Sequence, residues 1–246
     1  RTDVLVLKKI VSPTELGIYT MAVTLAKMPA QLCISLIGDL ITPLFARLQN
    51  NLEEVNDKLL VISQGILGVG LPFAVFCAAF STDLLKIFYG NRFAGGGTTY
   101  GIATMAQLVL VLGAPIAGMF FALNRPSQQR FFSGTRAFIM LSTVYPLVKL
   151  LGSPDGAATA CLLSIGVAFV IQLFSMRSVT GIRISRYLGS LATPVGSGLL
   201  LAAAMIATKK YLPLPLTGLA ACGAAGATLN CGLNLILLTK KPRLAT

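Results

Sequence analysis

Thr20, Thr24, Lys27, Gln31, Ser35, Asp39 and Thr42 follow one another at steps of three or four residues. That spacing matches the 3.6-residue α-helical repeat, so the seven side chains share one face about 120° wide. Gly38 falls in the same arc, and Met28 and Phe45 are its apolar interruptions. Hydroxyls, an amide, an ammonium and a carboxylate on one face can replace water around a polar or anionic passenger. A lysine or aspartate near the centre of a lipid bilayer costs about 2.5–3.5 kcal/mol, so each must meet a wet cavity or a partner. Lys27 and Asp39 are twelve residues apart, about 18 Å along a helix axis, too far to pair with each other. Lys27 therefore needs another counter-charge, and an anionic ligand is one. Two readings of the stripe stay open. It lines a cavity, or its Thr, Ser and Gln side chains bond between packed helices at about 0.6 kcal/mol each.

Other chemistries lack their residues. The 246-residue chain has no His and no Trp, which removes an imidazole base, a His-ligated metal and a Ser-His-Asp triad. Cys33, Cys77, Cys161, Cys222 and Cys231 each sit in an apolar run without C-x-x-C spacing, so neither a zinc knuckle nor a disulfide framework is indicated. There is no phosphate-loop signature, and the Gly95-Gly96-Gly97 run lacks the G-x-G-x-x-G spacing of a nucleotide site. Glu53, Glu54 and Asp57 cluster where a helix begins, a position the helix dipole already favours for acids. The sequence thus predicts a protein that is not an enzyme and has no catalytic residue, metal site or cofactor.

The elements that position the stripe are membrane spans. The chain is 55% hydrophobic and 11% charged, against about 25% charged in a soluble domain, and its mean hydropathy is +0.80. Seven segments approach the roughly 20 apolar residues that cross a bilayer: Ile18–Leu40, Leu59–Phe80, Ile102–Leu123, Ala137–Leu151, Ala157–Met176, Leu188–Thr208 and Leu216–Leu238. The fourth is the shortest, with Arg136 or Lys149 at its flanks reaching toward the interfaces. Thr2–Leu7 reads as the tail of a further helix. The chain opens on Arg1 without a signal peptide, and is expected to be the C-terminal part of a longer polytopic protein. The expected class is an all-α polytopic helical bundle.

Helix starts carry capping chemistry. Ser12-Pro13-Thr14-Glu15 reads as a capping box with proline at the first helical position. Asn51 with Glu54 repeats it, and Ser153-Pro154-Asp155 offers a third start. From Pro13 to Arg47 the first full helix is about 52 Å long, so it must tilt, bend or protrude, and Pro29 is the expected bend. With alternating spans, Arg47, Lys58, Arg125, Arg130, Arg136, Arg177, Arg183, Arg186, Lys240, Lys241 and Arg243 fall on one side. Lys8, Lys9, Lys86, Arg92, Lys149, Lys209 and Lys210 fall on the other. The richer side is the expected cytoplasmic one, C-terminus included. The net charge of +12 fits cationic flanks against anionic headgroups; no aromatic-interleaved basic groove points to nucleic acid. The glycine- and alanine-rich last segment, with Asn230 and Asn234 one turn apart, reads as a close-packing helix. Gly/Pro interruptions such as Gly70-Leu71-Pro72 and Gly113-Ala114-Pro115 suggest bent helices.

Four segments taken together resemble oligosaccharide flippases of the polysaccharide-transporter type, within the multidrug/oligosaccharidyl-lipid/polysaccharide exporter superfamily. Ser12–Tyr19 resembles that family's G-P-E-x-L-G-x-Y helix start, and Pro43–Asn50 its P-x-x-A-R-L-Q-D helix exit. Leu84–Ala94 is similar to L-V-x-L-L-F-G-E-R-W-A-P, and Ala122–Pro126 to A-L-G-R-P. Asn91, Phe93 and Asn124 depart from the usual acidic, tryptophan and glycine positions. The likeness covers about residues 3–182.

The resemblance implies a two-lobed, V-shaped transporter around a central cavity, with residues 1–182 as its second lobe, residues 183–246 as two additional helices, and the first full helix as the eighth of about fourteen spans. It implies flipping of a polyprenyl-diphosphate-linked oligosaccharide across the bacterial inner membrane by alternating access, for capsule, exopolysaccharide or O-antigen lipopolysaccharide export. The partners would be that lipid-linked substrate, membrane lipids and the N-terminal lobe of the same protein, with no nucleic acid. On this reading Lys27 holds the diphosphate or an acidic sugar, and Gln31, Ser35 and Thr24 contact sugars. Asp39 is an ion-coupling carboxylate or a structural partner, and Arg47 and Arg125 sit at the cytoplasmic mouth. Alternatives are a drug or peptidoglycan-precursor exporter of the same superfamily, or a membrane-embedded glycosyltransferase or polymerase subunit.

Overall fold

The structure, a computed structural model, describes residues 2–211. The described chain is helical throughout: α1 (Thr2–Leu7), α2 (Pro13–Arg47), α3 (Leu52–Ala79), α4 (Ser81–Tyr89), a 3-10 helix (Asn91–Gly96), α5 (Gly97–Ala122), α6 (Pro126–Leu151), α7 (Asp155–Thr180) and α8 (Ile184–Tyr211). Among the described residues, five helices are long and apolar enough to cross a membrane: α2, α3, α5, α6 and α7. The chain is an all-α polytopic membrane protein. The expected segment Leu216–Leu238, with Asn230, Asn234, Cys222 and Cys231, and the basic residues Lys240, Lys241 and Arg243 lie outside the described residues.

Local chemistry sets the helix limits. α2 is the expected 35-residue helix. Its capping box is closed: Glu15 N donates to Ser12 Oγ (3.3 Å), and Ser12 N donates to Glu15 Oε2 (2.9 Å). Asn51 caps α3 by accepting from Glu54 N (3.3 Å). The third start falls where expected, α7 beginning at Asp155, but without a side-chain cap. Pro154, already in helical conformation, precedes α7, and Ser153 gives no side-chain cap. Asp155, in the first turn, takes the hydroxyl of Thr99 on α5 instead. α2 continues through Pro29 and Pro43; each proline lacks an N–H and so frees a carbonyl one turn earlier.

The fourth span is longer than the apolar count predicts. α6 begins at Pro126, not Ala137, because a proline at N1 starts the helix in polar sequence that hydropathy does not register. Arg136 therefore lies inside the helix, about 15 Å from its first residue, rather than at a flank.

α5 is the axis of the bundle. α2, α3 and α7 pack directly on it, α6 packs on α7, and α8 packs along α3. Lipid is as apolar as a leucine side chain, so close fit and polar bonds must hold such helices together. At Gly156 a Cβ would lie 2.5 Å from the Leu147 carbonyl oxygen, so glycine is what lets α7 approach α6. The largest core joins Phe45, Leu59, Phe120, Phe132, Met176 and Tyr187 near the Arg47 end. A second cluster at the Ser12 end joins Leu7, Tyr19, Val144, Val148 and Ala157. There α1 fills the space between α2 and α6.

α4 and the 3-10 helix form an elbow between α3 and α5. Leu85 is buried with Ala22, Ala26, Cys77, Tyr100 and Ala103, while Ile87 and Phe88 are exposed. Gly90 turns the chain at φ 88°, a conformation that suits glycine.

Candidate functional site

α2 and α6 are the least covered of the five spans, each with 17% of its apolar window buried, against 56% for the α5 window. The buried face of α2 runs through Tyr19, Ala22, Ala26, Ala30, Ile41 and Phe45. Leu32, Leu36 and Leu40 are exposed on the far face. The polar stripe lies between these two apolar faces.

Within the stripe, Thr20 and Thr24 are half-buried and donate to the backbone one turn earlier, Thr20 to Leu16 O and Thr24 to Thr20 O, both at 2.7 Å. Such bonds satisfy the hydroxyl hydrogen within the helix and leave the oxygen lone pairs open. Lys27 is half-buried near mid-helix, about 21 Å from Pro13 and 30 Å from Arg47, with no ion pair among the described residues. Gln31, Ser35 and Asp39 are exposed. No described helix covers these three side chains.

Arg47 ends α2 and Arg125 precedes α6; both are exposed and lie at the same end of the bundle. Asn124 beside Arg125 sits at φ 56°. Glycine is the residue that adopts this conformation most readily and asparagine tolerates it, so the turn keeps its shape with Asn124.

At that end α2, α5, α6 and α7 line a cleft of about 540 Å³. α2 supplies Ile34, Gly38 and Thr42 to its wall. The lower end of the stripe, Gly38 and Thr42, thus enters the cleft, whereas Lys27, Gln31, Ser35 and Asp39 stand outside its lining. α6 contributes Gln129, Phe132, Ser133 and Arg136, and α7 contributes Gln172, whose Nε2 donates to Gly113 O on α5 (3.3 Å). Gln129 and Ser133 lie in the polar sequence before the apolar run, and with Arg136 at its edge they repeat the stripe's steps of four and three.

Elsewhere polar side chains reach groups on other helices, although Asn56 Oδ1 and Gln64 Oε1 stay unpartnered. Tyr187 OH donates to Ser63 Oγ (3.1 Å), Gln64 Nε2 to Ser190 O (2.8 Å), and Asn56 Nδ2 to Thr180 O (3.2 Å). These bonds lace α8 and the end of α7 to α3.

Among known proteins, residues 1–95 match the family described as "Polysaccharide biosynthesis protein". The match runs from α1 into the elbow and takes in the whole polar stripe, but not α5–α8. No curated protein and no solved structure matches the chain.

Proposed function

We propose that this protein flips a polyprenyl-diphosphate-linked oligosaccharide across the bacterial inner membrane by alternating access, for polysaccharide export. The observation that carries the reading is Lys27: a cation midway along an uncovered membrane helix, within a run of hydrogen-bonding side chains and without a counter-charge in the described bundle. The likeness of residues 1–95 to a polysaccharide biosynthesis family supports the cargo class.

The physics of such a passage is desolvation. A diphosphate and its sugars cannot enter hydrocarbon without replacement of their hydration. Lys27 would meet the diphosphate as a point charge. Gln31, Ser35 and Thr24 would take over the sugar hydroxyls' bonds to water, while the prenyl chain stays in lipid. Asp39, exposed on the same side, would serve a coupling ion or a partner helix. The uncovered sides of α2 and α6 would face an N-terminal lobe, with the cavity between. Arg47 and Arg125 would stand on the cytoplasmic side. The roles of the described helices are binding and movement, so the reading assigns no catalytic residue, metal or cofactor.

The test is Lys27→Ala in the full protein, read as surface polysaccharide alongside membrane abundance. Loss of polymer at unchanged abundance is expected. Wild-type polymer would refute the assignment.

A further inference from the structure

α8 carries a proline in its interior, Pro194, and that residue is buried in the bundle. A proline has no backbone N–H, so the carbonyl four residues earlier, Ser190 O, loses its helical donor. Within a membrane such a carbonyl must be satisfied by a neighbouring helix, a hydroxyl or water. The nearby hydroxyls serve other carbonyls: Ser190 Oγ donates to Tyr187 O (2.6 Å) and Ser197 Oγ to Thr193 O (3.0 Å). Gln64 of α3 supplies the missing bond, its Nε2 donating to Ser190 O at 2.8 Å. The amide has one workable orientation, because turned over it would set its own carbonyl oxygen against that of Ser190. Its Oε1 is left buried without a hydrogen-bond partner. A leucine would fill the same space without that cost; what the amide adds is the bond to Ser190 O.

On either side of Pro194, α8 is held to α3. Before it, Tyr187 OH donates to Ser63 Oγ (3.1 Å). After it, Gly198 lies so close to α3 that a Cβ there would stand 2.6 Å from Leu71 Cδ2, the approach that small residues allow between membrane helices. The Ser63–Tyr187 and Gln64–Ser190 pairs are 124 and 126 positions apart, so the two helices run parallel and their partners climb together. The Gln64–Ser190 bond thus sits inside the contact, at the point where the backbone ladder of α8 is broken.

We propose that Gln64 is a clip that locks α8 at Pro194. Its amide stands in for the N–H that the proline lacks, and it holds the stretches of α8 before and after the proline on α3 as one body. With the clip open, Pro194 would become a hinge. Gln64 is a positioning residue on this account, and the proposal rests on the α3–α8 contact alone, independent of the flippase reading.

Thermal unfolding and amide hydrogen exchange of the full protein in detergent test this. Gln64→Met keeps the side-chain length and removes the amide. It is expected to lower the thermal midpoint by about 2–4 °C, the order expected for one lost hydrogen bond. It should also speed exchange across residues 190–198 at least tenfold while leaving α5 unchanged. Pro194→Ala restores a backbone N–H at position 194, and in that background Gln64→Met should have less than a third of either effect. Asn56→Leu is the control, because its amide reaches the end of α7 instead; its effect should be the same in both backgrounds. Should Gln64→Met fail to accumulate, adding Pro194→Ala is expected to restore it. Equal effects of Gln64→Met with and without the proline would overturn the proposal. So would exchange that rises equally in α5, an Asn56→Leu effect that shrinks alongside, or no restoration by Pro194→Ala.

Discussion

The polar stripe of α2 and the α3–α8 seam use the same side-chain types on apolar helices and end differently. At the seam, Asn56, Ser63 and Gln64 meet Thr180, Tyr187 and Ser190. Ser63 and Tyr187 are buried. On α2, Gln31, Ser35 and Asp39 remain exposed and Lys27 has no counter-charge among the described residues. The difference lies in the neighbour. A polar group in a membrane helix acts as glue where a facing helix supplies its complement, and marks a wet or ligand-bearing surface where none does.

The hardest blow to this comparison would come from Lys27. Lys27→Ala is expected to abolish surface polysaccharide without lowering the thermal midpoint of the purified protein. A variant that loses stability instead would make the stripe a second seam. Water access gives the next largest effect. In a cysteine-free background, Ser35→Cys should react with a membrane-impermeant maleimide at least tenfold faster than Ser63→Cys, and equal rates would erase the contrast. Smaller still is the seam's own bond. A double-mutant cycle of Tyr187→Phe and Ser63→Ala should return a coupling of about 0.6 kcal/mol in unfolding experiments, with polysaccharide export unchanged. Least of all should be Arg186→Ala. Its bridge to Asp57 at 3.0 Å joins side chains 63% and 61% exposed, and such surface pairs contribute about 0–1 kcal/mol. The measured stability should shift by less than the seam cycle reports.

The motifs behind the family resemblance prove to be joints. Ser12 and Glu15 close a cap, Gly90 and Asn124 hold positive φ, and Leu85 anchors the elbow. None of these is a cavity-lining side chain. Such positions are readable one segment at a time, because a cap or a turn is decided within a few residues. The α6 boundary was not, since its first turns are polar and hydropathy counts only the apolar remainder.

Residue order alone determined that the chain is a set of membrane helices, where most of them begin, and that one face of α2 is polar, because composition, capping and the 3.6-residue period act locally. It also placed Arg136 at the edge of a span. Only the tertiary arrangement decided that α5 forms the axis, and that α8 meets Ser63 and Gln64 of α3 while α7 meets Asn56. Those outcomes depend on which helix stands opposite which, and in a bilayer nearly every apolar face is acceptable to lipid. The choice among neighbours then rests on close fit and a few polar bonds between residues more than a hundred positions apart, as with Asn56 and Thr180.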